Sequence, residues 1–88
     1  MKRVRIRAAG NVQGVFFRDT VRGEAEERSV AGWARNCSDG TVEAVFEGDA
    51  EGVKALVELC RRGPGQADVD ELDVSDEEPE GLTGFEVG

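Results

Sequence analysis

The 88-residue chain has 19 acidic residues against 11 basic ones and no histidine, giving a net charge of −8 at pH 7 and a pI near 4.5. One core is all that such a length can hold, so residues 1–88 are expected to form a single domain. The charge opposes attraction to nucleic acid or anionic lipid, and no apolar run nears the ~20 residues of a membrane span.

The basic start runs straight into an alternating strand, without the apolar region of a signal peptide, so a cytoplasmic protein is expected, and its small size points to a monomer. The charges are segregated. Met1 to Arg18 holds Lys2, Arg3, Arg5, Arg7 and Arg18 with no acid, whereas Gly65 to Gly88 holds nine acids and no base. The imbalance suits a protein adapted to concentrated salt, where screening removes self-repulsion.

Val4, Ile6 and Ala8 alternate with Arg3, Arg5 and Arg7, the period-2 pattern of a half-buried strand. After the glycine-containing stretch "GNVQGVFFR", residues 10–18, the segment "DTVRGEAEERS" predicts a helix with a narrow apolar stripe at Val21 and Ala25. "VAGWARN" and "TVEAVFE" read as strands joined through "CSDG", where Asp39-Gly40 signals a tight turn.

Asp49 is placed to cap a second helix, with Val53, Leu56, Val57 and Cys60 at i, i+3, i+4 and i+7, and Gly63-Pro64 ends it. "ADVDELDV" predicts a fourth strand, bulged at Asp70-Glu71 because Val69, Leu72 and Val74 break alternation. An acidic loop then leads to a short end around Phe85 and Val87. The order βαββαβ predicts a ferredoxin-like α+β sandwich, with a four-stranded antiparallel sheet and two helices on one face. Arg3, Arg5 and Arg7 then fall on the open face, where Glu43, Glu47, Asp68 or Asp70 can pair with them.

No cofactor is expected. Cys37 and Cys60 are too few for a zinc set in a chain without histidine, and both read as small hydrophobes. Covalent cysteine chemistry on phosphate needs an arginine six residues on, where this chain has Glu43 and Gln66. "DVDEL", residues 68–72, lacks the ligand and glycine positions of a calcium loop.

A glycine-containing turn from strand to helix presents free N–H groups at the positive end of the helix dipole, which describes an anion cradle. Arg18, at the start of the helix, can close over a bound phosphate or carboxylate with paired hydrogen bonds. "GNVQGVFFR" lacks the Gly-Lys-Ser/Thr ending of a P-loop and the glycine spacing of a dinucleotide site. Taken singly, each residue has a plainer use. Gly10 and Gly14 can serve a tight turn, Gln13 can satisfy loop backbone and Asn36 can cap the hairpin. Asp19 suits a first-turn acid, and Phe16, Phe17, Trp33, Phe46 and Phe85 suit core or loop packing.

"GNVQGVFFR" resembles the first signature of the acylphosphatases, and "GWARNCSDGTVEAVFEG", residues 32–48, resembles their second. The similarity continues through "RRGPGQADV" and the terminal "FEV". It implies hydrolysis of the carboxyl-phosphate bond of small acyl phosphates, without a metal. It also implies that Gly14, Val15, Phe16, Phe17 and Arg18 bind the phosphate and that Asn36 positions the attacking water. Ala8 and Arg28-Ser29 depart from the family pattern at positions that bear on core size. The rival reading is a non-catalytic phosphate-binding module of the same fold; an acylphosphatase-like domain acting on carbamoyl phosphate in hydrogenase maturation fits less well, because such proteins carry additional domains.

Overall fold

The computed structural model describes residues 1–14 and 16–88. In chain order it contains β1 (Lys2–Asn11), α1 (Phe17–Glu27), β2 (Ala31–Asn36), β3 (Val42–Gly48), α2 (Ala50–Arg62), β4 (Asp68–Glu77) and β5 (Phe85–Val87). The sheet order is β4-β1-β3-β2-β5. The ferredoxin-like order expected from the sequence is present, with two corrections: the sheet has five strands, not four, and it is mixed, because β5 runs parallel to β2.

Alternation decides the two faces. Val4, Ile6 and Ala8 of β1, Ala34 of β2 and Val42, Ala44 and Phe46 of β3 are buried together with Phe17, Val21 and Ala25 of α1 and Val53, Leu56 and Cys60 of α2. Two amphipathic helices thus cover one side of the sheet. Helix α1 begins at Phe17, two residues before the predicted start, because the Phe17 ring is needed in the core, where it is 2% exposed. Asp49 holds the N-cap position of α2 in extended backbone, but its side chain makes no capping hydrogen bond. Gly63 ends α2 in the left-handed region, its N–H donating to the carbonyls of Leu59 and Cys60.

Strand β4 carries the expected bulge. Ala9 pairs with Glu71 and Gly10 with Val69, so Asp70 is the extra residue. Strand β5 brings Phe85 over Phe46, ring centroids 6.0 Å apart. Its neighbour across the ladder is Gly32, at φ +147°, where a Cβ would stand 1.8 Å from the Val45 carbonyl oxygen. Only glycine lets β2 lie this close to β3 and β5 at that point.

The open face is a lattice of ion pairs. Arg3 reaches Glu47, Glu77 and Glu80; Arg5 reaches Glu43 and Glu77; Arg7 reaches Asp39 and Glu43; and Arg35 reaches Glu43. Glu43 and Glu47 take the expected role. Asp68 and Asp70 do not: the bulged end of β4 carries them, and Glu77 at its other end lies beside Arg3 and Arg5. The guanidiniums of Arg5 and Arg35 lie over Trp33, at 5.4 and 4.9 Å from the ring centroid.

Glu47 is 1% exposed and accepts the backbone N–H groups of Glu80, Gly81 and Leu82 at 2.7–2.8 Å, fixing the loop that leads to β5. Those bonds, that of Glu80 foremost, hold its pKa below the usual carboxylate value, with help from Arg3 and against its burial. Arg35 foremost, then Arg5, does the same for Glu43; Arg5 and then Arg3 do so for Glu77.

Candidate active site

The β1–α1 loop changes chain direction within a few residues. Gly14, at φ +73°, has open space around its missing Cβ, so the backbone angle alone calls for glycine there. Phe16 adopts the left-handed region as well, at φ 65° and ψ 19°, which costs a non-glycine residue about 1–2 kcal/mol. Its carbonyl accepts the Thr20 N–H at 3.0 Å, the first turn of α1. The amides ahead of Thr20 point out of the helix end, and no side chain among the described residues caps them.

Gln13 anchors this loop to the neighbouring hairpin. Its side-chain amide donates to the carbonyls of Cys37 and Thr41, at 2.8 and 2.9 Å. The Cys37–Thr41 turn is itself closed by Asp39, which accepts from the Thr41 N–H and hydroxyl at 3.0 and 2.7 Å. Gln13 therefore does satisfy backbone, but that of the hairpin, and so ties the two motif segments together. The sequence carried a hint of this in its position between the two loop glycines; its partners are more than 20 residues away.

Gly14, Phe16, Arg18 and Asp19 line one open pocket of about 200 Å³. Arg18 donates from Nη1 to the Gly88 oxygen, a contact that brings the end of the β5 segment beside the loop. Gly88 was absent from the sequence-based site, since β5 pairing decides where it lies; its N–H donates to the Ala34 carbonyl at 2.9 Å. Asp19 lies in the first turn of α1, 3.8 Å from Arg22.

The remaining site candidates are placed differently. Phe17 offers only its main chain to the cradle, because its ring is core. Asn36 is the exposed last residue of β2, opposite Val42 and next to the Cys37 carbonyl that Gln13 holds; it does not line the pocket. Val15 lies outside the described residues. Phe16 is not packing at all: its side chain is 64% exposed. Burial pushes the Cys60 thiol up to about 12, which removes it as a nucleophile. Among the described residues no three His, Cys, Asp or Glu side chains group as metal ligands would.

Fold and site together define a ferredoxin-like sandwich with an arginine-lined pocket at the uncapped start of its first helix. The acylphosphatase family model matches residues 4–87. The chain is 54% identical to the acylphosphatase of Thermococcus kodakarensis over 89 aligned positions, covering 99% of this chain and 98% of that one. It is 48% identical to the acylphosphatase of Haloarcula marismortui, over 97% of this chain and 93% of that one. The crystal structure of acylphosphatase from Bacillus subtilis superposes with a TM-score of 0.94 at 36% identity, covering 100% of this chain and 99% of that one. This chain belongs to the acylphosphatase family.

Proposed function

We propose that residues 1–88 act as one enzymatic domain that hydrolyses acyl phosphates to a carboxylate and inorganic phosphate. Its pocket supports this reading most directly. Arg18, whose guanidinium has no carboxylate side chain as partner among the described residues, stands at an uncapped helix end beside Gly14 and Phe16. The loop amides at residues 14–18 and the Arg18 fork hold the phosphoryl oxygens, and Asn36 orients the attacking water. Water attacks phosphorus, the P–O bond to the acyl oxygen breaks, and the carboxylate departs with the bonding electron pair. The proton of the water passes to a phosphate oxygen. A carboxylate is a good leaving group, so the chain needs neither histidine nor a metal; positioning and charge stabilisation carry the rate.

Among the described residues no helix is long and apolar enough to cross a membrane. The net charge of −8 opposes attraction to nucleic acid and anionic lipid, which supports action on small molecules, and we infer a monomer working in the cytoplasm. Benzoyl phosphate incubated with the protein in EDTA should release benzoate, and inorganic phosphate should compete. Phosphate binding without benzoate release would leave a non-catalytic binder. Release only on adding a divalent ion would overturn the mechanism.

A further inference from the structure

Four of the five aromatic side chains have a structural use. Phe17, Phe46 and Phe85 are buried in the core, and Trp33 lies between Arg5 and Arg35. Phe16 stands outside the core cluster, 64% exposed, on the wall of the Arg18 pocket. Nothing in its backbone asks for a ring, since φ 65° favours glycine. Strain of this kind, when it persists at a site, points to a use for the residue there.

The other groups lining the pocket are the Arg18 cation, the Asp19 carboxylate and Gly14, so Phe16 is its one apolar wall among the described residues. A phosphoryl group at Arg18 and the helix end sends its acyl substituent outward past this wall. We infer that Phe16 is a platform for the acyl group, and that the preferred substrates are acyl phosphates with an aromatic or extended apolar substituent. This rests on the acyl phosphate hydrolysis proposed above. An apolar substituent covers the ring and removes both surfaces from water; an acetyl group is too small to cover it, and an anionic substituent meets Asp19.

The test is steady-state kinetics on benzoyl phosphate and acetyl phosphate, with inhibition by inorganic phosphate, for the wild type, Phe16→Gly and Phe16→Trp. Glycine accepts the same backbone angle without the ring, and tryptophan keeps an aromatic face. Phe16→Gly should raise KM for benzoyl phosphate by about fivefold to tenfold. Its KM for acetyl phosphate and its inhibition by phosphate should change less than this, so that the ratio of the two KM values rises by about fivefold, the expectation for a side chain that meets the acyl group. Phe16→Trp should restore the low KM. An equal loss on both substrates would make Phe16 a loop-shaping residue, and an unchanged ratio would make the ring idle; either overturns the proposal alone. A wild type that hydrolyses neither substrate overturns the catalytic reading and the proposal with it.

Discussion

The open face of the sheet and the β1–α1 loop both display arginine, and they use it in opposite ways. On the sheet, Arg3, Arg5, Arg7 and Arg35 each reach at least one carboxylate, and Arg3 is 4% exposed among three of them. In the loop, Arg18 donates to the Gly88 oxygen, has no carboxylate side chain as partner among the described residues, and lines an open pocket. A guanidinium already forked onto carboxylates is a structural tie; one left beside uncapped amides can take a substrate oxyanion. What separates them is the neighbouring chain. Strands β3 and β4 place acids opposite β1, and among the described residues no strand pairs with the loop that follows it.

The strongest way to break this comparison exchanges the two kinds of arginine. Arg18→Ala should lower turnover by about 10³-fold or more and abolish phosphate binding by calorimetry, with little change in melting temperature. Arg18→Lys should recover little, since an ammonium cannot reproduce the fork. Arg5→Ala should do the reverse, lowering the melting temperature while kcat/KM stays near wild type. Similar activity losses in both would erase the distinction.

Next in size comes the division of labour within the site. Asn36→Ala should lower kcat by about 10²-fold and leave phosphate affinity nearly unchanged, the scale for one well-placed polar group in a transition state. A folded variant that turns over at the wild-type rate would reduce Asn36 to a hairpin residue.

Acid sharpens the structural half of the comparison. Glu43, Glu47 and Glu77 have folded-state pKa values below their ordinary 4.5. Their contribution to stability is therefore present in full above about pH 4.5 and is lost as pH falls through the lowered folded values. Glu47→Gln should melt several degrees below the wild type at pH 7, and that gap should narrow as pH falls toward 3. A gap constant from pH 7 to 3 would mean that the charge of Glu47 contributes nothing.

Salt should have the smallest effect. Asp76, Glu77 and Glu80 are paired with Lys2, Arg3 and Arg5, whereas Asp68, Asp70, Glu71, Asp73, Glu78 and Glu86 have no ion-pair partner among the described residues. Molar potassium chloride should screen the repulsion of these six more than it weakens the shielded lattice, raising the melting temperature by a few degrees. A flat or falling curve would leave the acidity with no role in stability.

The sequence by itself determined the βαββαβ order, the core faces of β1 and of both helices, the bulge in β4 and the glycine loop ending in Arg18. Each of these is local: it follows from the period of apolar residues, from turn chemistry, or from residues within one short segment. Strand β5 was beyond it, because three residues are too few to show alternation and a parallel partner lies far away in the chain. The same distance hid the Gly88 contact of Arg18, the Gln13 bolt to the hairpin and the choice of Glu77 over Asp68 and Asp70 as the acid of the open face. Composition marked Phe16 and Phe17 alike as apolar aromatics. Only the tertiary structure decided that one ring enters the core and the other faces the pocket, since adjacent side chains at the start of a helix point in different directions and the packing of the sheet selects which is covered.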